Sequence, residues 1–288
     1  MPRSTSKTRA KTKPKASAGK SPGAAGVALI TGASRGIGAE LARQFARGGY
    51  DLVLVARNRT QLLELAAAVQ TDYGCHATTI ATDLGKAGAA EKLYRQLAQE
   101  GHEIDVLVNN VGVLDQGKFT DIALENHLQL VNINISVLTA LTHLFLKPMR
   151  ERGSGKVLNV ASLSAFMPVP TMAVYAASKA YVVSFSEALY EELKGTGVSV
   201  TAVCPGFVST DMVAGVEAQG DFHVPAAMLM SPQRVAEEAY TACMENVVVY
   251  VPGVGPRLSA QISDMAPRAL RRIGSGMLSR MLSRGKAG

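Results

Sequence analysis

A tyrosine and a lysine stand four residues apart in a stretch with helical patterning. Tyr175 and Lys179 fall within residues 174–194, whose apolar spacing predicts a helix. Residues at positions i and i+4 share one helix face, so we expect the ammonium beside the phenol. A nearby ammonium favours the phenolate and lowers the tyrosine pKa from its usual value of about 10. The pair therefore predicts a general acid or base that acts on an oxygen.

A serine thirteen residues before that tyrosine is the third candidate for this site. Ser162 follows an apolar run, residues 157–160, which predicts a buried strand. In a doubly wound sheet the carboxyl ends of the strands face the ligand crevice. A hydroxyl group there can meet Tyr175 and hydrogen-bond a substrate oxygen. A tyrosine–lysine pair at this spacing also occurs by chance in many helices, so its meaning depends on the elements around it.

A glycine-rich turn near the start of the chain predicts phosphate binding. Residues 27–30 form an apolar strand pattern that runs into Gly32, Gly36 and Gly38, and a helical pattern follows. Glycines let the backbone turn sharply and approach a pyrophosphate held at the helix N-terminus. The same turn could be a plain strand-to-helix connection. Its place at the first such unit favours the binding interpretation. The other residues of the predicted cradle are Ser34, Arg35 and Ile37.

The second predicted strand, residues 52–55, indicates which dinucleotide binds. NAD sites usually place an acid at the end of this strand for the ribose 2′-hydroxyl. Here Arg57 follows the strand and no acid is present, while Arg35 lies in the glycine turn. Guanidinium groups are planar and always charged, which suits a 2′-phosphate. A single arginine after a strand would mean little, but the two together predict NADP(H).

The whole chain alternates apolar strand patterns with amphipathic helix patterns. This alternation predicts an α/β fold, a doubly wound parallel sheet of about seven strands with helices on both faces. The strands are predicted at residues 27–30, 52–55, 78–81, 106–108, 157–160, 198–203 and 247–251, and the helices at 39–47, 60–73, 89–99, 124–149, 174–194 and 232–244. No stretch looks apolar over the ~20 residues that span a bilayer.

Charge and cysteine content bound the organisation of the chain. Residues 1–20 hold seven lysines and arginines and no acid, residues 257–288 hold seven more against Asp264, and the rest carries a net charge of −6 within a total of +7. We therefore expect a disordered basic tail at 1–25, one catalytic domain at 26–256 and a basic, partly helical extension at 257–288. Three dispersed cysteines suggest neither disulfides nor a metal site and fit a reducing, cytoplasmic setting.

Taken in order, these motifs resemble the short-chain dehydrogenase/reductase family over residues 27–253. The resemblance implies an NADPH-dependent enzyme that moves a hydride between the nicotinamide and a carbonyl or alcohol carbon. It makes Tyr175 the acid/base, has Lys179 hold the ribose and lower the tyrosine pKa, and has Ser162 position the carbonyl. Asn134 would hold a water that leads to Lys179, with Asn132 as the competing residue. The further cofactor contacts implied are Asp83, Leu84, Asn110, Pro205, Gly206 and Thr210, with the central sheet as the alternative partner of Asn110.

The resemblance leaves the substrate and the partners open. The long apolar connection at residues 207–230 would be a substrate lid with Gly215 and Gly220 as hinges, which favours an apolar substrate. A 3-oxoacyl thioester reductase is the alternative within the enzyme class, and a catalytically silent NADP(H)-binding protein is the alternative outside it. We expect a homodimer or homotetramer and no nucleic acid. The basic C-terminal segment could rest on an anionic membrane or pack on protein.

Overall fold

A computed structural model describes residues 24–218 and 223–265, together with Arg272. Most of the predicted basic tail at 1–25 and of the predicted extension beyond residue 265 lies outside the described residues, as does the predicted hinge Gly220. The site motifs predicted from the sequence all fall within the described part.

Seven parallel strands form one sheet in the order β3-β2-β1-β4-β5-β6-β7. Their bounds are β1 Gly26–Thr31, β2 Tyr50–Ala56, β3 Ala77–Ala81, β4 Val106–Asn109, β5 Gly155–Val160, β6 Val198–Val203 and β7 Val249–Tyr250. The predicted doubly wound sheet is therefore confirmed. The strand order reverses between β1 and β4, and such a switch point opens a crevice at the carboxyl ends of the strands. The edge strand β7 is shorter than predicted because only Val249 and Tyr250 pair with β6.

The helices cover both faces of this sheet. Their bounds are α1 Gly36–Arg47, α2 Arg59–Tyr73, α3 Ala89–Gln99, α4 Leu124–Val131, α5 Leu138–Arg152, α6 Ala173–Glu192, α7 Asp211–Ala218, α8 Pro232–Met244 and α9 Val254–Met265. A π-helical turn, Asn132–Val137, joins α4 to α5. Ser231 caps α8 by accepting a hydrogen bond from the Arg234 amide, and Pro232 opens the helix.

Alternate residues of β1 show how the two cores form. Ala28 and Ile30 pack in the core beneath α1, α2 and α8, whereas Val27 and Leu29 pack in the core beneath α3 and α5. Successive strand side chains point to opposite faces, so a strand buried on both sides is apolar at most of its positions. This explains why the strands appear in the sequence as continuous apolar runs.

One long helical segment departs from the sequence expectation about membranes. Leu124–Arg152 is long and apolar enough to cross a bilayer by length and composition alone. Leu141, Phe145 and Met149 of this segment are buried against the sheet. Core packing therefore accounts for the apolar side chains of its second half, since a buried core helix satisfies the same criterion.

Candidate active site

The turn between β1 and α1 requires glycine at three positions, either for backbone conformation or for space. Gly32 and Gly36 have φ values of 66° and 57°, which side chains rarely adopt. A Cβ atom on Gly38 would lie 2.2 Å from the Gly32 carbonyl oxygen. The residue that precedes α1, Arg35, makes no side-chain capping bond. The first-turn amides of α1 are thus left without a side-chain cap, as an anion site at a helix N-terminus requires.

Asn110 holds this turn in place from the end of β4. Its side-chain amide donates hydrogen bonds to the carbonyl oxygens of Thr31 and Gly32, at 2.9 and 3.1 Å. The Thr31 hydroxyl in turn accepts hydrogen bonds from the backbone amides of Asn110 and Val111. The sequence resemblance offered either the cofactor or the central sheet as the partner of Asn110. In the structure its side chain supports the glycine turn and also borders the cavity.

One cavity of about 710 Å³ at the carboxyl edge of the sheet brings the predicted residues together. Every predicted cofactor or catalytic residue except Asn134 lines it, which gives Gly32, Ser34, Arg35, Gly36, Ile37, Gly38, Arg57, Asp83, Leu84, Asn110, Ser162, Tyr175, Lys179, Pro205, Gly206 and Thr210. Among the described residues, no cluster of three or more His, Cys, Asp or Glu side chains could hold a metal ion. The cavity therefore joins the glycine turn to the side chains of Ser162, Tyr175 and Lys179.

Two exposed arginines lie at the end of the cavity next to β2. Arg57 follows that strand, and Arg35 projects from the glycine turn. The Arg35 guanidinium is 2.9 Å from the carboxylate of Asp211, the first residue of α7. An exposed ion pair of this kind contributes little to stability. The pair can therefore exchange for a ligand anion at small cost.

Lys179 is buried at the end of β5. Its ammonium donates a 2.9 Å hydrogen bond to the carbonyl oxygen of Val160, the last residue of that strand, and lies 5.7 Å from the centre of the Tyr175 ring. Burial lowers the pKa of Lys179 to about 8, although the nearby Cys204 opposes this shift. The lysine thus combines a fixed position with a pKa close to physiological pH.

The pKa of Tyr175 corrects one expectation drawn from the sequence. Burial raises the pKa of the phenol, and a hydrogen bond with the Ser162 side chain only partly opposes that rise. The net shift of the Tyr175 pKa is therefore upward, against the lowering expected from the sequence. The expected contact between Ser162 and Tyr175 is present.

Asn134 reaches the site through a hydrogen-bonded relay. It lies in the π-helical turn, where its side chain accepts a bond from the Val113 amide and donates bonds to the Val113 carbonyl and to the Ser178 hydroxyl. Ser178 donates to the carbonyl oxygen of Tyr175 at 2.7 Å. The competing residue Asn132 instead donates to the Gly85 carbonyl oxygen. Sequence reasoning missed Ser178, and its only signal was a small polar residue between Tyr175 and Lys179.

A buried polar chain beneath the cavity was also missed. The Asn109 amide donates to Asn159 at 2.9 Å and to Thr142 at 3.0 Å, and the Asn159 amide donates to Ser186 at 2.9 Å. These residues belong to β4, β5, α5 and α6, and each is almost inaccessible to solvent. Asparagines inside apolar strand patterns were the available signal. These hydrogen bonds link β4 to β5, the two strands that end beneath Ser162, Tyr175 and Lys179.

The other end of the cavity is apolar. The side chains that line it there include Leu114, Leu163, Met167, Val169, Met172, Phe207 and Met212. Thr171, between Ser162 and Tyr175, has a φ of 70°, which is costly for a β-branched residue. Its carbonyl accepts a 2.9 Å bond from the Gly117 amide. This strained loop forms part of the wall opposite the dinucleotide end.

The predicted lid at residues 207–230 is more ordered than a loop. It contains α7 and a short 3₁₀ turn, Ala226–Met228. At its base the Ser209 amide donates to the Met230 carbonyl and the Met230 amide donates to the Phe207 carbonyl, both at 2.9 Å. Phe207, Met212 and Val213 also line the cavity. The described part of the segment therefore lines the cavity and is held at its base by these two hydrogen bonds.

Comparison with known sequences gives a consistent picture. The sequence model of the short chain dehydrogenase family matches residues 26–221. Ketoacyl reductase HetN of Nostoc sp. is 32% identical over 252 residues, which covers 85% of this chain and 86% of that protein. The human very-long-chain 3-oxoacyl-CoA reductase is 36% identical over 199 residues, 68% of this chain. The chain spans 63% of the length of that human relative.

Solved structures with the same fold include two bacterial enzymes. A short-chain dehydrogenase from Sphingobium yanoikuyae in complex with NADPH has a TM-score of 0.74 at 29% identity, with 91% of this chain and 98% of that chain covered. The bulky-bulky ketone specific alcohol dehydrogenase from Comamonas testosteroni has a TM-score of 0.71 at 26% identity, with 91% and 96% covered. The similarity thus extends over nearly the whole described part of the chain.

Proposed function

The chain belongs to the short-chain dehydrogenase/reductase family of oxidoreductases, and on that basis we propose that it is an NADPH-dependent reductase of a carbonyl group on an apolar substrate. The observation that carries the proposal is the single cavity that joins the glycine turn to Ser162, Tyr175 and Lys179. The same arrangement would oxidise the corresponding secondary alcohol in the reverse direction.

The dinucleotide end of the cavity fits NADP(H). The uncapped N-terminus of α1 and the glycine turn suit a pyrophosphate. Arg35 and Arg57 suit the 2′-phosphate that distinguishes NADP(H) from NAD(H). Asp83, whose carboxylate accepts a bond from the Gly85 amide, is held near the expected adenine position. When bound, the reduced cofactor supplies the hydride.

The protein side chains supply the proton and the orientation. The raised pKa keeps the Tyr175 phenol protonated, so it can donate its proton to the substrate oxygen as negative charge develops there. Ser162 holds the same oxygen through its hydroxyl group. Lys179 holds the cofactor ribose and stabilises the resulting phenolate with its positive charge. Asn134 and Ser178 fix the start of α6, which carries both catalytic side chains.

Two substrate classes have support. The apolar wall and the similarity to a bulky-ketone alcohol dehydrogenase favour a large hydrophobic ketone. The similarity to very-long-chain 3-oxoacyl-CoA reductases favours a 3-oxoacyl thioester with a long acyl chain, and the similarity to ketoacyl reductase HetN favours a ketoacyl substrate. We give the thioester second place because the chain spans less than two thirds of the very-long-chain reductases.

A substrate panel tests the proposal directly. Full-length protein would be assayed for NADPH oxidation with long and short 3-oxoacyl thioesters, bulky aromatic ketones and small polar ketones, with NADH in parallel. We expect turnover with a large apolar carbonyl and a preference for NADPH. Equal rates with small polar ketones would contradict the apolar assignment, and a preference for NADH would contradict the cofactor assignment.

A tyrosine variant separates an enzyme from a catalytically silent binding protein. Tyr175→Phe removes the proton donor but keeps the ring, so we expect turnover to fall about 10²- to 10⁴-fold. The affinity for NADPH, measured by fluorescence titration, should stay within about twofold of that of the native chain because the phenol is not the main anchor of the cofactor. Unchanged turnover in this variant would remove Tyr175 from the mechanism. Absence of turnover in the native protein on the whole panel, with intact NADPH binding, would favour the silent alternative.

A further inference from the structure

The last described helix, α9, presents an exposed apolar stripe. Val254 is 79% exposed, Leu258 58% and Ile262 60%. These positions are four residues apart and therefore share one face of the helix. Large apolar side chains at this level of exposure are few in the described part of the chain, and three of them lie in a row here. Such a row marks an interaction surface more often than scattered apolar residues do.

The opposite side of α9 is held firmly to the protein. Ala260 and Ser263 are buried, and the Ser263 hydroxyl donates a 2.8 Å bond to the Phe166 carbonyl oxygen. The stripe therefore faces outward because the buried side fixes the rotation of the helix. It is not the core-facing side of a helix that has failed to pack.

This surface adjoins the apolar end of the cavity. Phe166 ends a short 3₁₀ helix, Leu163–Phe166, that begins directly after Ser162 and borders the cavity. Pro256 of α9 lies against Gly206, which also lines the cavity. Gly253, directly before α9, contacts Met230 at the base of the lid. A partner bound along α9 would therefore sit next to the substrate entrance.

The charge of residues 257–288 indicates the kind of partner that α9 binds. Residues 257–288 carry seven lysines and arginines and the single acid Asp264, whereas the body of the chain between the two basic ends is acidic. Arg257 lies on α9 itself and is exposed, with its side chain over the Tyr250 ring. An apolar helix face that is followed in the sequence by six lysines and arginines and no acid is typical of segments that bind at the surface of an anionic bilayer.

We infer that the exposed face of α9 docks on an anionic lipid bilayer. Pairing of two α9 stripes would bring two segments of the same positive charge together. Three side chains are also far fewer than the ~20 residues per side that a stable protein interface buries. Delivery of an apolar substrate from the bilayer to the cavity rests on the proposed function, whereas the docking itself does not.

Vesicle sedimentation with the full chain tests the docking surface. The vesicles would be pure phosphatidylcholine or phosphatidylcholine with about a third phosphatidylglycerol, at low and high salt. The test variant is Leu258→Gln/Ile262→Gln. Its matched control is Leu124→Gln/Leu128→Gln, because Leu124 and Leu128 of α4 are 63% and 59% exposed at the same spacing.

We expect binding to the anionic vesicles only, weakened by salt and reduced about tenfold or more in the α9 variant, since each lost leucine or isoleucine contact is worth about tenfold. The α4 variant should bind like the native chain. Equal binding to neutral vesicles, no binding at all, or equal loss in both variants would overturn the inference. A change of sedimenting mass in the α9 variant with unchanged vesicle binding would overturn it in favour of an interface between copies.

A separate readout keeps this test apart from the proposed reaction. NADPH oxidation with a short, water-soluble carbonyl substrate should be the same in both variants and in the native chain, because neither stripe lines the cavity. Normal activity shows that both variants fold. Loss of vesicle binding with normal activity supports the docking surface, and inactivity of all three proteins contradicts the proposed function alone.

Discussion

Burial acts on the two catalytic side chains in the same physical way but with opposite results. It disfavours the charged form of each, which lowers the pKa of Lys179 to about 8 and raises the pKa of Tyr175. Below pH 8 both side chains therefore carry a proton. That state suits carbonyl reduction, in which the phenol must give up a proton and the ammonium must keep one.

The pH dependence of reduction follows from these two groups. At saturating carbonyl substrate, kcat/KM for NADPH reports the free protein and should be level below pH 8. It should fall as the pH rises through about 8, because Lys179 then loses its charge while Tyr175 is still protonated. Steady-state rates from pH 6 to 10 would measure the profile, with the pH range chosen about the lysine pKa.

The control for that profile is Lys179→Arg. Arginine keeps its charge over the whole pH range, so the decline near pH 8 should vanish even if the rate is lower throughout. If kcat/KM of the arginine variant still declines near pH 8, a group other than Lys179 causes the decline.

The sequence predicted which residues meet in the site, but it did not predict their protonation. Tyr175, Lys179 and Ser162 could be found from residue type and spacing, because helix and strand geometry brings them to one sheet edge. Burial raises the pKa of Tyr175, and burial lowers the pKa of Lys179. Neither is encoded by local spacing, since both arise when β5 and α6 pack.

At the scale of elements, strands were easier to predict than connections. A strand buried on both faces is apolar at most of its positions, so β1, β2 and β6 were visible as mainly apolar runs. The helix α7 was expected to be loop because its eight residues include Gly215 and show weak patterning. The helix α9 begins at Val254, before the predicted domain end at residue 256, because its buried face packs on the main fold.

The buried asparagine chain should contribute substantially to stability. Asn159→Ala would remove one buried hydrogen bond from the Asn109 amide and one from the Ser186 hydroxyl, which would keep only their bonds to Thr142 and to the Val182 carbonyl oxygen. We expect the free energy of unfolding to fall by about 2–3 kcal/mol. Urea denaturation would measure it, with Asn126→Ala on the exposed side of α4 as a control expected within about 0.5 kcal/mol of the native chain. If the free energy of unfolding falls no further in the Asn159 variant than in this control, the buried hydrogen bonds between β4, β5 and α6 do not contribute measurably to stability.

At the scale of the whole molecule, the dinucleotide crevice comes directly from the strand order. The sheet reverses between β1 and β4, and the residues around that reversal form the cavity. Alternation of strands and helices in the sequence was enough to predict this architecture. It could not predict where the lid closes, because the Val208–Met230 pairing joins positions separated by a whole helix and depends on the packed sheet.

Binding of the cofactor to this crevice should stabilise the entire fold. At a concentration 100 times its Kd, NADPH should add about 2.7 kcal/mol and raise the Tm by about 5–10 °C. NADH lacks the 2′-phosphate, and one lost charge-assisted bond is worth about 1.5–3 kcal/mol, so the same concentration should give less than half that shift.

Arg57→Ala should reduce the NADPH shift to the NADH level and leave the NADH shift unchanged. The matched control is Arg59→Ala, because Arg59 is also exposed after β2 but does not line the cavity, and it should respond like the native chain. Equal shifts with the two cofactors in the native chain would mean that the arginines at this end do not select the phosphate.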